Sequence, residues 1–251
     1  MKVLLWVIVP YVCLTVFVVG HWWRYSYDKF GWTTRSSQLY ENNLLRFGSP
    51  LFHFGMLGVV GGHIIGLLVP ESWTRAIGLS ETGYHWLAVI GGLASGVAVV
   101  VGMAILVYRR RTTGPVFSAT TPMDKVMYLF LGAVVLLGMW NTVASSVSGL
   151  GGVGGNAYDY RLGVSEWFRS LFALSPDTGA MAAAPLGFQA HALLACLLFA
   201  LWPFTRLVHV FSAPVGYLTR PYIVYRTRDD QSLAGSRRER RGWEHVGAGD
   251  R

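Results

Sequence analysis

Four histidines give this sequence its chemistry. His53 and His63 stand ten residues apart in an apolar run that holds no Lys, Arg, Asp or Glu between Arg46 and Glu71. His191 and His209 stand eighteen apart in a second apolar run near the C-terminus. An imidazole is costly in hydrocarbon, so its presence there marks a site by default. Two on each of two spans is the arrangement that two bis-imidazole haems need. Two axial histidines leave iron no open position, so such centres transfer electrons and bind no substrate. Gly55, Gly58, Gly61, Gly62 and Gly66 crowd the first run, and a flat macrocycle needs a surface without bulky side chains. The same glycines would also serve close helix packing. Neutral imidazole suits zinc, copper and iron alike, so the spacing by itself does not name the metal.

The elements that carry these histidines follow from composition. The chain has 251 residues, of which 53% are apolar and 14% charged, well below the quarter charged that soluble domains carry. Several runs approach the roughly 20 residues that cross a bilayer. The reading is an all-α integral membrane protein with five transmembrane helices, at about 3–20, 51–69, 84–107, 126–147 and 186–210. Lys2 before the first run resembles a signal peptide, but no small-residue cleavage site follows and His21-Trp22-Trp23-Arg24-Tyr25 reads as an interfacial rim. The stretch 149–155 is glycine-rich and lacks the Lys-Ser/Thr of a phosphate loop, so it is expected to be a linker. Residues 161–174 carry apolar side chains at helical spacing and predict a short interfacial helix. Cys13 and Cys196 lie in apolar spans and form no CxxC pair; they read as buried thiols.

The net charge of +8 reflects orientation rather than nucleic-acid binding. Eight of the 21 Lys and Arg lie from Arg220 onward, and most others fall in two short loops. The positive-inside rule then puts the N-terminus outside and the C-terminus in the cytoplasm. A five-helix membrane domain over 1–225 is followed by a basic cytoplasmic tail over 226–251. Antiparallel second and fifth helices pair His53 with His209 near the inner face and His63 with His191 near the outer. At about 1.5 Å per residue the two spacings are roughly 15 and 27 Å, so straight parallel helices cannot hold both pairs level. Tilted helices, slanted haems or a bend at Pro203 would reconcile them.

Leu51-Phe52-His53-Phe54-Gly55-Met56-Leu57-Gly58 with Gly62-His63, and the stretch 201–220 around Arg206-Leu207-Val208-His209-Val210-Phe211-Ser212-Ala213-Pro214, resemble the gamma subunit of membrane-bound respiratory nitrate reductase, a five-span cytochrome b of the cell membrane. The resemblance covers the chain from Met1 to about Arg228. It implies two haem b groups, with axial pairs His53/His209 (inner) and His63/His191 (outer). It implies oxidation of a quinol, menaquinol or ubiquinol, on the outer side. Electrons would then pass through both haems to an iron–sulfur beta subunit and on to a molybdenum alpha subunit that reduces nitrate, both docked on the cytoplasmic face. The chain has no cysteine cluster of its own for such centres.

The family's quinol pocket lies beside the outer haem, which makes Gly62 and His63 candidates here. Some members carry a lysine at the start of the third helix; this chain has Glu81-Thr82-Gly83-Tyr84-His85-Trp86. His85 is either the replacement proton-handling group or an interfacial residue beside Trp86. Arg109, Arg110, Arg111 and Arg206 are candidates for haem propionate contacts, since an arginine fork binds a carboxylate bidentately. The alternative for all four is ordinary positive-inside anchoring; for Arg206, which lies inside the span, a propionate contact or local pairing is set against it. Competing functions are the related cytochrome b of sulfur-metabolising complexes, a cofactor-free transporter using the histidines as a proton relay, and a purely structural anchor.

Overall fold

The computed structural model describes residues 1–32, 37–151, 158–212 and 219, with the backbone alone for 145–151. The described residues up to Ser212 form one compact unit. The basic tail over 226–251 and residues 152–155 of the glycine-rich stretch lie outside the described residues.

Among the described residues this unit's regular elements are all helices. Helix α1 (Val9–Tyr27) follows a π-helical turn, Leu4–Ile8, and α2 (Leu45–His63) runs into another, Ile64–Leu68. Then come α3 (Glu71–Ala76), α4 (Glu81–Thr112), α5 (Gly114–Ser118), α6 (Pro122–Gly151), α7 (Val164–Phe172), α8 (Thr178–Ala182) and α9 (Leu186–Leu201). Two 3₁₀ segments, Trp202–Phe204 and Arg206–Ser212, complete the unit. Five of these stretches are long and apolar enough to cross a membrane: Leu4–Tyr27, Leu45–Leu68, Glu81–Thr112, Pro122–Ala144 and Leu186–Phe204. Large apolar side chains such as Leu57, Val60, Ile90, Leu129 and Leu136 stay exposed along them, which is what lipid contact asks of a helix.

The helices outrun the limits read from the sequence, for local reasons. Helix α4 starts at Glu81 because Ser80 caps it, its hydroxyl accepting from the Gly83 amide at 3.1 Å. It ends on Arg109, Arg110 and Arg111, cations that suit the negative end of the helix dipole. Helix α6 begins with a reciprocal capping box: Asp124 N–H donates to Thr121 Oγ1 at 3.1 Å and Thr121 N–H to Asp124 Oδ2 at 2.9 Å. It also runs on through Gly149–Gly151, where a linker was expected. The fifth span does the reverse. Its α-helix stops at Leu201, and Thr205 is extended at φ −111°, ψ −179°. Pro203 lacks the N–H that would continue the ladder, so the bend considered as a way to level the histidines is a full break.

Packing runs in series: α2 on α4, α4 on α6, α6 on α9, and α9 on α1. Glycines set the closest approach. A Cβ on Gly102 would fall 2.5 Å from the Phe52 nitrogen, and one on Gly55 would fall 2.9 Å from Ala98 Cβ and the Val99 nitrogen. Helix α7 buries Val164, Trp167 and Leu171 against Trp6, Met181 and Ala184. The Trp167 indole donates to the Trp6 carbonyl at 2.9 Å.

Candidate functional site

Helices α2 and α9 are not neighbours in the packing series, yet their histidines meet. The ring centroids of His63 and His191 are 6.1 Å apart and inclined at 28°. Those of His53 and His209, the latter on the 3₁₀ segment beyond the break, are 5.8 Å apart. A metal bound by two imidazole nitrogens at about 2 Å each, with each centroid roughly 1 Å behind its nitrogen, separates the centroids by about 6 Å. Both pairs have that spacing.

The backbone fixes the tautomer of three of these rings. His53 Nδ1 lies 2.7 Å from the Ser49 carbonyl, His63 Nδ1 2.8 Å from that of Val59, and His209 Nδ1 2.6 Å from that of Arg206. A carbonyl oxygen has no proton to give, so Nδ1 must donate. In the neutral ring that tautomer leaves the lone pair on Nε2, the state in which imidazole ligates. His191 is placed by an absence of bulk: a Cβ on Gly138 would stand 3.0 Å from its Cε1.

The glycines of the second span differ in their surroundings. Gly55 and Gly58 are packing glycines, facing α4 at Ala98, Val99 and Ser95. Gly66 faces the hydroxyls of Tyr160 and Tyr84. Gly61 and Gly62, beside His63, have nothing within 4 Å of a built Cβ, and Gly132 on α6 is equally open. Two facing imidazoles, with open backbone at Gly61 and Gly62 next to His63, fit a bis-histidine haem.

Three of the four candidate arginines have protein partners. Arg109 is 2% exposed and saturated by the loop before α2: Nε donates to Glu41 Oε2 at 2.5 Å, Nη1 to Ser37 Oγ at 2.9 Å, and Nη2 to the carbonyls of Ser37 and Glu41. With these bonds the Arg109 side chain straps the 37–41 loop to α4. Burial alone would raise the Glu41 carboxyl, but the Leu44 amide and Arg109 outweigh it and hold the group below the usual carboxylate range. Arg110 donates to Thr120 Oγ1 at 3.0 Å and lies over the Tyr128 ring; Arg111 is exposed. Arg206 forms the local ion pair, its Nε and Nη2 donating to Asp124 Oδ1 and Oδ2 at 2.5 and 2.7 Å. His85 is exposed, with Trp86 as its ring neighbour.

Sequence reasoning passed over four residues around the pairs. Asp124 anchors Arg206, whose carbonyl in turn orients His209. Arg24 of α1 donates to the Pro203 and Thr205 carbonyls at 2.5 and 3.0 Å, covering the break. Ser165 and Arg169 of α7 donate to the Gly66 and Leu67 carbonyls at 2.8 and 3.1 Å, in the π turn after His63. The Asp124 contact had one local signal, the Thr121-Pro122-Met123-Asp124 capping pattern.

A model of the nitrate reductase gamma subunit family matches residues 2–228. The chain belongs to the nitrate reductase gamma subunit family. It is 44% identical over 225 residues to the nitrate reductase gamma chain of Bacillus subtilis (strain 168), covering 90% of this chain and 98% of that one. With the respiratory nitrate reductase 2 gamma chain of Escherichia coli (strain K12) it shares 34% identity over 222 residues, 88% of this chain and 95% of that one. It is 58% identical over 240 residues to the nitrate reductase-like protein NarX of Mycobacterium tuberculosis (strain ATCC 25618 / H37Rv). That match covers 96% of this chain but spans only 36% of NarX. As a gamma subunit homologue with five helices of membrane-crossing length, it is a multi-pass membrane protein.

Proposed function

We propose that this chain is the dihaem b membrane anchor of a respiratory nitrate reductase in the cell membrane, taking electrons from quinol on the outer side and delivering them to a cytoplasmic iron–sulfur subunit and, beyond it, a molybdenum subunit that reduces nitrate. The observation that carries the reading is the pair of facing imidazoles at both ends of the bundle, at metal-bridging separation and with Nδ1 of three rings committed to backbone. His53 and His209 would hold one haem, and His63 and His191 the other. When bound, each haem supplies a one-electron carrier, and two in line offer a path across the bilayer.

The protein's own part is to fix ligands and exclude alternatives. Carbonyls at Ser49, Val59 and Arg206 hold three rings with Nε2 free. Gly61 and Gly62, next to His63 in the chain, present open surface that would suit a flat group. The basic loops and tail support a cytoplasmic side for the His53/His209 end, where the iron–sulfur partner would dock.

The test is optical. In the gently isolated complex, a menaquinol analogue should reduce a b-type band and nitrate should reoxidise it. Replacing His63 or His191 should remove one haem and quinol oxidation while the other haem assembles. Replacing His53 or His209 should leave quinol able to reduce the remaining haem, with the electron stranded there. A preparation without b-type absorption would overturn the reading, and a band that nitrate cannot reoxidise would remove nitrate from it.

A further inference from the structure

Tyr160 occupies the end of the bundle next to the His63/His191 pair. Its hydroxyl is 3.0 Å from where a Cβ of Gly66 would be, three residues past His63. Its ring stacks on Phe188 at 6.4 Å and 17°, three residues before His191. Three helical residues are roughly 5 Å of rise, so Tyr160 sits about one turn beyond both histidines, on the same side of the pair.

Tyr160 is not alone. Its hydroxyl is 2.8 Å from that of Tyr84, on the first turn of α4. Two hydroxyls bonded to each other use one proton between them, which leaves the pair one O–H to donate and free lone pairs to accept. Arg161, 3% exposed, lies flat over the Tyr84 ring with its guanidinium carbon 3.8 Å from the centroid. Its Nη2 is tied to Thr74 Oγ1 at 2.7 Å, while Nε and Nη1 are buried without a hydrogen bond. Burial, and then the neighbouring Tyr84 hydroxyl, push Tyr160 above the ordinary phenol range, so it remains a protonated donor. On the solvent side of Arg161 lies Glu81, half-exposed and 3.8 Å from Nη1.

We propose that the Tyr84–Tyr160 hydroxyl pair, braced by Arg161, receives the quinol ring hydroxyl and passes its proton outward, a role the sequence had offered to His85. The assignment rests on the quinol reading above. Oxidation of one quinol breaks two O–H bonds, leaving quinone, two electrons and two protons. The electrons would be taken up by the haem that His63 and His191 would hold. The protons leave through the pair, each hydroxyl taking one on oxygen as it gives up its own, to water beside the exposed Glu81 and Asp159. Gly66 is glycine because any larger residue would crowd the Tyr160 hydroxyl.

The experiment compares the whole complex carrying Tyr84→Phe, Tyr160→Phe or Gly66→Ala with the unaltered one. Dissociation of a short-tailed menaquinone is measured by equilibrium dialysis, beside haem content, kcat/KM for the quinol and the solvent deuterium isotope effect on kcat. Each Phe variant should keep both haems, bind the quinone about tenfold more weakly and lose at least as much in kcat/KM. Gly66→Ala, which keeps both hydroxyls, should show the same weakened binding. Unchanged binding and turnover in all three variants would overturn the assignment, as would haem loss in place of weaker binding, since the pair would then be packing. If dithionite but not quinol reduces the unaltered complex, the quinol reading itself fails and this assignment goes with it.

Discussion

Asp124 and Arg206 meet fork to fork across 82 residues of sequence, with two hydrogen bonds of 2.5 and 2.7 Å. Asp124 is held by its capping box, and the Arg206 carbonyl accepts from His209 Nδ1. One carboxylate therefore orients a histidine that it does not touch. Asp124→Ala should destabilise the protein by about 2 kcal/mol, since a charged hydrogen-bond pair is lost. It should also deplete the haem assigned to His53/His209 before the other one. Thermal unfolding and the reduced-band amplitude of the purified protein check both parts, and equal loss of the two haems would count against the relay.

Glu41 and Arg109 give a pH dependence whose sign is fixed. The folded Glu41 carboxyl titrates below its ordinary value of 4.5, so the pair contributes full stability above that pH. The contribution falls as pH drops through the depressed folded value. The detergent-solubilised protein should therefore lose thermal stability on acidification below about pH 4.5, and Glu41→Gln should flatten that part of the curve. A variant with an unchanged acid limb would assign the loss to other carboxylates.

The two classes of glycine should respond in opposite ways to the same methyl group. Gly102→Ala forces a carbon against the Phe52 backbone and should cost about 1–3 kcal/mol through separation of α2 and α4. Gly62→Ala meets nothing in the protein. It should leave the unloaded fold as stable as before and affect only what binds beside His63. Unfolding curves of the two apoproteins, followed by haem titration, separate these outcomes.

Helix α7 should matter to His63 without touching it. Ser165→Ala leaves the Gly66 carbonyl without its side-chain donor in a buried turn, at a cost of about 1–2 kcal/mol. Hydrogen exchange in Ile64–Leu68 should quicken while that around His53 stays put. Uniform exchange along α2 would show that the clamp is not local.

The sequence disclosed what depends on one stretch of chain at a time. Apolar runs gave five helices of spanning length, and the antiparallel order of the second and fifth was enough to set His53 beside His209 and His63 beside His191. What it concealed was anything decided by a distant partner. Arg109 reads as an anchoring cation until Ser37 and Glu41 fold back over it. Asp124 reads as a cap until Arg206 arrives. Tyr84 was overlooked in favour of its neighbour His85, because titration near neutral pH is visible in a residue's type and burial is not. Backbone π turns leave no mark in composition, since their carbonyls are satisfied by Ser165, Arg169 and Trp167 from another helix.

The interruption at Pro203–Thr205 bears on how such a protein can change over time. His191 and His209 come from one covalent segment but not from one rigid rod, so a shift at either end is absorbed at the joint where Arg24 grips two carbonyls. Each histidine pair can be retuned by local substitution while its counterpart keeps its setting. A continuous helix would have made the two adjustments inseparable.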